Sequence, residues 1–184
     1  MNRVVSKIIA IAKQKPYHHL GDYMDRFVLR DPGEDQSRWG ARVHNVKRSD
    51  YDRSLHDHPW WNISVVLRDG YWEIFPGTFQ SAVEADFIGF DPAMQSLRDL
   101  IAAQPGKMVS RADRQMLKLS GVHWRGAGAI VRRKAMTAHR LVIPAGTSAW
   151  SLFIMGKREK DWGFYPAEGW VHADVYRARI GRDV

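Results

Sequence analysis

A chain of 184 residues, of which 45% are hydrophobic, is long enough for one domain with a buried core. It contains no cysteine, which excludes disulfides, thiolate catalysis and cysteine-ligated metal sites, so a metal ion would be bound by His, Asp, Glu or backbone oxygen. The formal net charge of +8 favours an anionic partner, either a small molecule or a nucleic acid. Since no apolar run approaches the roughly 20 residues of a membrane-spanning helix, we expect one soluble, cytoplasmic domain over 1–184.

The predicted elements begin with a short amphipathic helix in 1–16, ended by Pro16. After it, segments rich in β-branched and aromatic residues alternate with the turn sequences DPGED, RDG, FPG and PAG. Many short strands at this spacing indicate an all-β sandwich or barrel. Strands are predicted within 39–48, 60–67, 71–75, 128–133, 139–144, 148–156 and 162–165.

One segment, 91–119, interrupts this β pattern. An Asp-Pro start, apolar residues at helical spacing and a Pro-Gly stop predict a helix over 92–103, and a second short helix is expected around 112–117. We expect this helical insertion to pack on the outside of the barrel. A lid over the mouth of the barrel is the alternative.

The stretch SLHDHPWW contains two histidines one residue apart. In a strand, His56 and His58 would lie on one face and Asp57 on the other. Two imidazoles on one face can bind one cation. In a chain with eight histidines such a pair is weak evidence by itself, so a further ligand is needed.

The later stretch GAGAIVRRKAMTAHRLVI completes a resemblance to the cupin superfamily. His56, His58 and Gly70 match the first motif of that family, and Gly128 and His139 stand at the separation that its second motif requires.

The chain also departs from both cupin motifs. The glutamate of the first motif falls at Asn62 or Ile63, so no carboxylate ligand is present there. The Pro, Gly and Asn of the second motif fall at Lys134, Met136 and Ile143.

A larger part of the chain resembles a narrower group of cupin-like bacterial and phage proteins with an HDHPW strand. The matching segments are HDHPW at 56–60, Leu67 with GYWE at 70–73, the His-Arg pair at 139–140, and the region from Trp150 to Phe164. This resemblance covers about residues 40–170.

The resemblance implies a double-stranded β-helix, the cupin or jelly-roll barrel, with a mononuclear metal site formed by His56, His58 and His139. Fe(II) is the expected metal, and Zn, Ni and Cu are the alternatives that three imidazoles also suit. A homodimer would be usual for such a protein.

Other residues are candidates for chemistry around this site. Glu73 and Tyr71 are the candidate catalytic residues, because Glu73 is the nearest strand carboxylate after the histidine pair and could act as a general base or reach the metal. Asn62 could be a weak fourth ligand, or a barrel-lining residue whose polar atoms are hydrogen-bonded to a neighbour. His44 could serve as a further metal ligand. Arginines could pair with a substrate carboxylate or phosphate. The candidates for substrate contact or for support of the ligands are Asn62, His44, Arg42, Arg132, Arg140 and Trp150.

Three hypotheses for function follow from the sequence. The first is a metal-dependent small-molecule enzyme, either dioxygenase-like or an isomerase or lyase. The second is a non-catalytic cupin that binds a small ligand or a protein partner. The third is a nucleic-acid-associated protein that uses its basic surface.

Overall fold

The structure is a computed structural model that describes residues 3–50, 54–85 and 92–180. Along these residues the chain forms five helices and twelve strands. The helices are α1 (Arg3–Ala12), α2 (Thr78–Ala85), α3 (Pro92–Ala103), α4 (Arg111–Leu119) and α5 (Ala173–Arg179). The strands are β1 (Tyr17–Leu20), β2 (Met24–Arg30), β3 (Gly40–Val46), β4 (Leu55–His56), β5 (Asn62–Arg68), β6 (Gly70–Ile74), β7 (Val122–Gly126), β8 (Ile130–Arg133), β9 (Arg140–Val142), β10 (Ala149–Met155), β11 (Gly163–Tyr165) and β12 (Val171–His172).

The strands form antiparallel sheets whose order differs from their order in the chain. The large sheet has six strands in the order β1-β2-β3-β10-β5-β8, and two smaller sheets have the orders β7-β6-β9 and β12-β11-β4. Strand β10 pairs with both β3 and β5, so the C-terminal part of the chain closes the sheet formed by the N-terminal part. The fold is the jelly-roll β-barrel that the sequence predicted.

The two faces of the large sheet differ in chemistry. On β5 the alternate residues Asn62, Ser64 and Val66 are buried and line the barrel. Part of the opposite face is apolar and packs against the short helix α1, which lies within the predicted 1–16. The buried cluster between them consists of Ile9, Ala12, Phe27, Val43, Leu67 and Trp150.

The helices of the predicted insertion are present as α3 and α4. Helix α4 begins where the side chain of Ser110 accepts a hydrogen bond from the N–H of Asp113 at 3.1 Å. Helix α2, which the sequence did not predict, precedes them; residue 91, the start of the predicted insertion, lies outside the described residues.

These helices cover the outside of the barrel. Strand β6 turns Trp72 and Ile74 outward and Tyr71 and Glu73 inward, and the helices pack on the outward side. The buried cluster contains Leu55, Trp72, Ile74, Phe79, Ile101, Val109, Leu117, Val122 and Val142. The packing expected for the insertion is therefore observed, and the lid alternative is not.

Helix α5 closes the C-terminal end of the described chain against β11. The rings of Phe164 and Tyr176 stack with centroids 4.2 Å apart. Within the described ranges, no helix combines the length and the apolar character needed to span a membrane.

Candidate metal centre

His56 and His139 come from distant parts of the chain and are joined by their backbones. The N–H of each residue donates to the carbonyl oxygen of the other, at 2.9 Å in both directions. This isolated antiparallel bridge fixes the Cα atoms of two candidate ligands opposite each other.

The side chains of His56, His58 and His139 converge at this bridge. Their candidate ligand atoms all lie within 4.8 Å of one another. Nε2 of His58 lies 3.0 Å from Nε2 of His139. His139 is buried whereas the other two are partly exposed, so the cluster is reached from the side of His56 and His58.

The HDHPW stretch is not a continuous strand. Strand β4 ends at His56, and His58 lies in the loop that follows, where its N–H donates to the carbonyl of Ala135 at 3.2 Å. Pairing resumes at Asn62 in β5. The two histidines nevertheless face the same site, because the residue between them is held on the opposite side.

That residue is Asp57, which is fully buried. Its carboxylate accepts hydrogen bonds from the N–H of Gly163 at 2.9 Å, the hydroxyl of Tyr165 at 3.0 Å and the indole N–H of Trp170 at 3.1 Å. The ammonium of Lys160 pairs with the same carboxylate. Asp57 therefore anchors the loop that carries the histidine pair.

Glu73 supports His139 from within the barrel. Its Oε1 accepts from Nδ1 of His139 at 2.8 Å and from Nε of Arg133 at 2.5 Å, and its Oε2 accepts from Nε of Arg125 at 2.7 Å. Burial by itself would raise the pKa of Glu73, but the hydrogen bond from His139 and the charge of Arg133 outweigh it and hold that pKa well below its ordinary value. An ionised carboxylate only accepts, so the proton of His139 is on Nδ1 and the lone pair of Nε2 faces His58.

The imidazoles of His139 and His58 are held in their neutral form. Burial and the charge of Arg133 lower the pKa of His139 to about 4. Burial, together with His139 and His56, lowers the pKa of His58 well below its ordinary value. Neutral imidazole is the form that binds a metal ion.

The donor set fits one divalent transition metal. A separation of 3.0 Å between two nitrogens suits two ligands that are each about 2.0–2.1 Å from one ion. Imidazole ligands suit Fe, Zn, Ni and Cu, and three of them leave positions open for water or substrate.

A second carboxylate, Asp50, stands behind His56. Its Oδ2 is 3.8 Å from Nδ1 of His56, which is ion-pair range rather than hydrogen-bond length. The hydroxyl of Tyr23 and the N–H of Leu141 each donate to Asp50 at 2.6 Å and fix its position.

Arg133 connects Glu73 to the polar lining of the barrel. It donates to Oδ1 of Asn62 and to Oγ of Ser64, both at 3.1 Å, and to the hydroxyl of Tyr71 at 3.3 Å. Asn62 is thus satisfied at its oxygen by a neighbour, while its Nδ2 has no hydrogen-bond partner among the described residues.

Two of the predicted supporting residues, His44 and Arg42 on β3, also face the interior. The ring of His44 stacks on Phe153 with centroids 4.8 Å apart, and Phe153 lies 6.1 Å from the ring of His58. His44 is not part of the convergent histidine cluster.

The structure does not bring Arg132, Arg140 and Trp150 to the site. Strand alternation leaves Arg132 exposed on the outer face of β8 and turns Arg133 inward instead. Arg140 is buried on the outer side of β9, where it donates to Gln80 at 3.0 Å. Trp150 belongs to the outer cluster under α1.

The sequence analysis missed Asp50, Arg125 and Arg133, which contact the histidine centre or its Glu73, and it also missed Arg26 on the inner face of β2. Continuing the inward alternation from Glu73 and Asn62 onto the paired strands would have selected Arg133 rather than its neighbour. Asp50 lies outside any strand, and no sequence pattern marks it.

No protein family and no curated protein sequence matches the chain. Among solved structures, it is similar to the polyketide cyclase RemF from Streptomyces resistomycificus, with 12% identity, 81% of this chain and 79% of that chain covered, and a TM-score of 0.47. It is also similar to an RmlC-like cupin from Shewanella frigidimarina, with 10% identity, 80% and 88% coverage and a TM-score of 0.45. A third is the DMSP lyase DddQ from Ruegeria pomeroyi, with 13% identity, 85% and 64% coverage and a TM-score of 0.46.

Proposed function

We propose that the protein is a cupin metalloenzyme that binds one divalent transition metal at His56, His58 and His139 and converts a small molecule inside its barrel. The observation that carries this proposal is the convergence of three imidazoles whose ligand atoms lie within 4.8 Å of one another. The carboxylate of Glu73 on the far nitrogen of His139 supports it, because metal-binding histidines are typically oriented in this way.

The proposed metal is Fe(II), with Zn, Ni and Cu as alternatives, and the proposed reaction is a dioxygenase-like oxidation, with isomerase or lyase chemistry as the alternative. Such an ion supplies a Lewis acid with open coordination positions and, if it is Fe(II), a centre at which dioxygen can react. The chain supplies three imidazole ligands, a fixed tautomer at His139 and a largely buried polar lining.

The contacts of the two candidate catalytic residues favour different roles. Both oxygens of Glu73 are already occupied by donors, so we assign it to positioning His139 rather than to proton transfer. Burial raises the pKa of Tyr71, so its hydroxyl stays protonated at neutral pH. That oxygen accepts from Arg133, which leaves its hydrogen for a substrate atom. Tyr71 is therefore the candidate proton donor.

Elemental analysis of untagged protein tests the proposal. Wild type is compared with His58→Ala and His139→Ala, and with His18→Ala, which removes an exposed histidine of β1 as the matched control. We expect close to one metal ion per chain in the wild type and the control, and loss of the ion in both site variants. The metal found then selects the reaction screen, beginning with oxygen consumption if it is iron.

A wild type that holds no metal, even after reconstitution, contradicts the proposal. The second hypothesis, a non-catalytic cupin that binds a small ligand or a protein partner, would then be favoured by the same polar barrel.

The net charge also supports contact with nucleic acid as a proposal, and the resemblance supports a homodimer. The net charge of +8 would give binding to nucleic acid that weakens steeply as salt rises. Sedimentation equilibrium tests the homodimer. Titration of labelled DNA and RNA at two salt concentrations tests contact with nucleic acid. Absent or salt-insensitive binding would remove the nucleic-acid hypothesis.

A further inference from the structure

A second polar cluster lies in the barrel beside the histidine centre. It is formed by Arg26 on β2, Arg42 and His44 on β3, and Ser151 on β10. Arg26 and Ser151 are the cross-strand partners of His44, and Arg42 is two residues before it on the same strand. All four side chains therefore lie on the face that lines the barrel.

Three polar atoms of this cluster are buried without a hydrogen-bond partner among the described residues. They are Nε of Arg26, Nε of Arg42 and Nε2 of His44. The side chain of His44 is well enclosed, with the residue only 8% exposed. A buried polar atom without a partner costs about 1–3 kcal/mol, so three of them side by side indicate a ligand that completes them.

The charges of the cluster favour an anion. Burial and the nearby Arg42 lower the pKa of Arg26 to about 10, so Arg26 stays protonated at neutral pH. The pKa of Arg42 is lowered by burial, while Asp31 opposes this change from a distance. Within the described part of the chain, neither arginine forms an ion pair with a carboxylate, although each is near the other. Two like charges with unfilled donors attract a negatively charged group.

The cluster is separated from the histidine centre by one aromatic ring. Phe153 stacks on His44 at 4.8 Å and lies 6.1 Å from His58, measured between ring centroids. Arg42 is the cross-strand partner of Phe153. The arginine cluster and the histidine centre therefore lie on either side of one aromatic side chain inside the same barrel.

We propose that Arg26, Arg42 and His44 form an oxyanion subsite that binds the carboxylate or phosphate of the substrate and so directs its other end to the histidine centre. That the bound anion is a substrate rests on the proposed function, whereas binding of the anion does not require the metal. The subsite selects small anionic molecules as the substrate class and excludes neutral ones of the same shape.

Isothermal titration of the full chain, freed of metal by a chelator, tests the subsite. Inorganic phosphate and acetate are titrated separately, at constant ionic strength set with chloride, into wild type, Arg26→Gln and Arg42→Gln. The control is Arg132→Gln, which removes an exposed arginine from the outer face of β8. We expect at least one of the two anions to bind the wild type and the control, and its affinity to fall by at least about tenfold in both inner variants.

The result that overturns the proposal is unchanged affinity in the inner variants, an equal loss in the control, or no binding of either anion to the wild type. Which anion binds identifies the group that the substrate carries. Removing one of two neighbouring like charges should leave the melting temperature of the anion-free protein equal or higher, so loss of binding will not reflect unfolding. A shift of the His44 ring resonances when the anion is added to the wild type provides a second readout without any variant.

His139→Ala in the same titration should bind the anion as the wild type does, because the subsite does not require the metal. Elemental analysis and anion titration of the wild type together separate the two proposals. Retained anion binding in a wild type that takes up no metal overturns only the metal site. Metal uptake without anion binding overturns only the oxyanion subsite.

Discussion

Glu73 connects His139 of the histidine centre to two arginines of the barrel interior. Its Oε1 accepts from both His139 and Arg133, and its Oε2 accepts from Arg125. We predict that Glu73→Gln lowers metal affinity about 10–100-fold, because an amide no longer holds the proton of His139 on Nδ1. It should also lower the free energy of unfolding by about 3 kcal/mol, since two partly or fully buried guanidinium groups lose their counter-charge.

Competition with a chelator measures the affinity of this variant, and urea unfolding measures its stability. Glu159→Gln, which changes an exposed carboxylate, is the matched control and should change neither quantity. A Glu73→Gln protein with wild-type metal affinity would show that Glu73 does not position His139.

His44 makes stability depend on pH in a definite direction. Burial, Arg26 and Arg42 lower its pKa from 6.5 to about 3. Between these values the unfolded chain binds a proton that the folded chain does not, so the free energy of unfolding falls as pH falls through this window. His44 contributes a slope of up to about 1.4 kcal/mol per pH unit there, and His44→Gln should remove it.

Urea unfolding at pH 7, 6 and 5 checks this prediction. His139 and His58 also have pKa values lowered from 6.5 and act in the same direction over this range, so the variant retains a slope from them. Only the difference between variant and wild type reports on His44. His18→Gln, at an exposed position, should follow the wild type, and a His44→Gln protein with an unchanged slope would contradict the prediction.

At the scale of elements, a substitution in α4 tests whether packing outside the barrel affects the candidate metal site inside it. Leu117 is fully buried in the cluster outside β6. We predict that Leu117→Ala lowers the free energy of unfolding by about 3 kcal/mol, through lost burial and the cavity it leaves, while metal content stays at the wild-type level.

Leu119→Ala is the control on the same helix, because that side chain is 78% exposed and its removal should change stability little. Urea unfolding and elemental analysis of both variants check the prediction. Loss of metal in a folded Leu117→Ala protein would show that the helices shape the site rather than only cover the barrel.

Strands with strong alternation or continuous apolar runs were predictable from the sequence, and those of mixed character were not. Strands β3, β5 and β10 each combine β-branched or aromatic residues with flanking turn signals, and they form the centre of the large sheet. Strand β1, with the sequence YHHL, and helix α2, with TFQSAVEA, have no such pattern. Their positions depend on tertiary contacts that a local pattern does not contain.

The sequence indicated the three histidines and Glu73 of the candidate site, but not the contacts that hold them in place. The spacing of His56 and His58 survives although the stretch is not a continuous strand, because Asp57 and its donors hold the loop. The carboxylate of the first motif is absent, and Glu73 instead contacts Nδ1 of His139 from β6, the strand paired with β9, which begins directly after His139. This contact follows from the pairing of two strands that are far apart in sequence, and spacing along the chain does not indicate it.

At the scale of the whole molecule, the barrel brings together candidate ligands that are far apart in the chain. His58 and His139 are 81 residues apart in sequence, yet their Nε2 atoms are 3.0 Å apart. Closing a loop of this length reduces the conformational entropy of the unfolded chain, so the unfolded chain rarely places all three histidines together. The complete site therefore belongs to the folded state alone.

Metal binding should for this reason stabilise the whole barrel. At free metal about 1,000 times the dissociation constant, we predict an increase of about 4 kcal/mol in the free energy of unfolding, with a corresponding rise in melting temperature. Thermal scanning of wild type with and without the metal found by elemental analysis checks this, and His139→Ala should lose the rise. If metal binds the wild type tightly but the melting temperature does not move, the unfolded chain binds the ion equally well. Closure of the barrel on His139 would then contribute nothing to metal affinity.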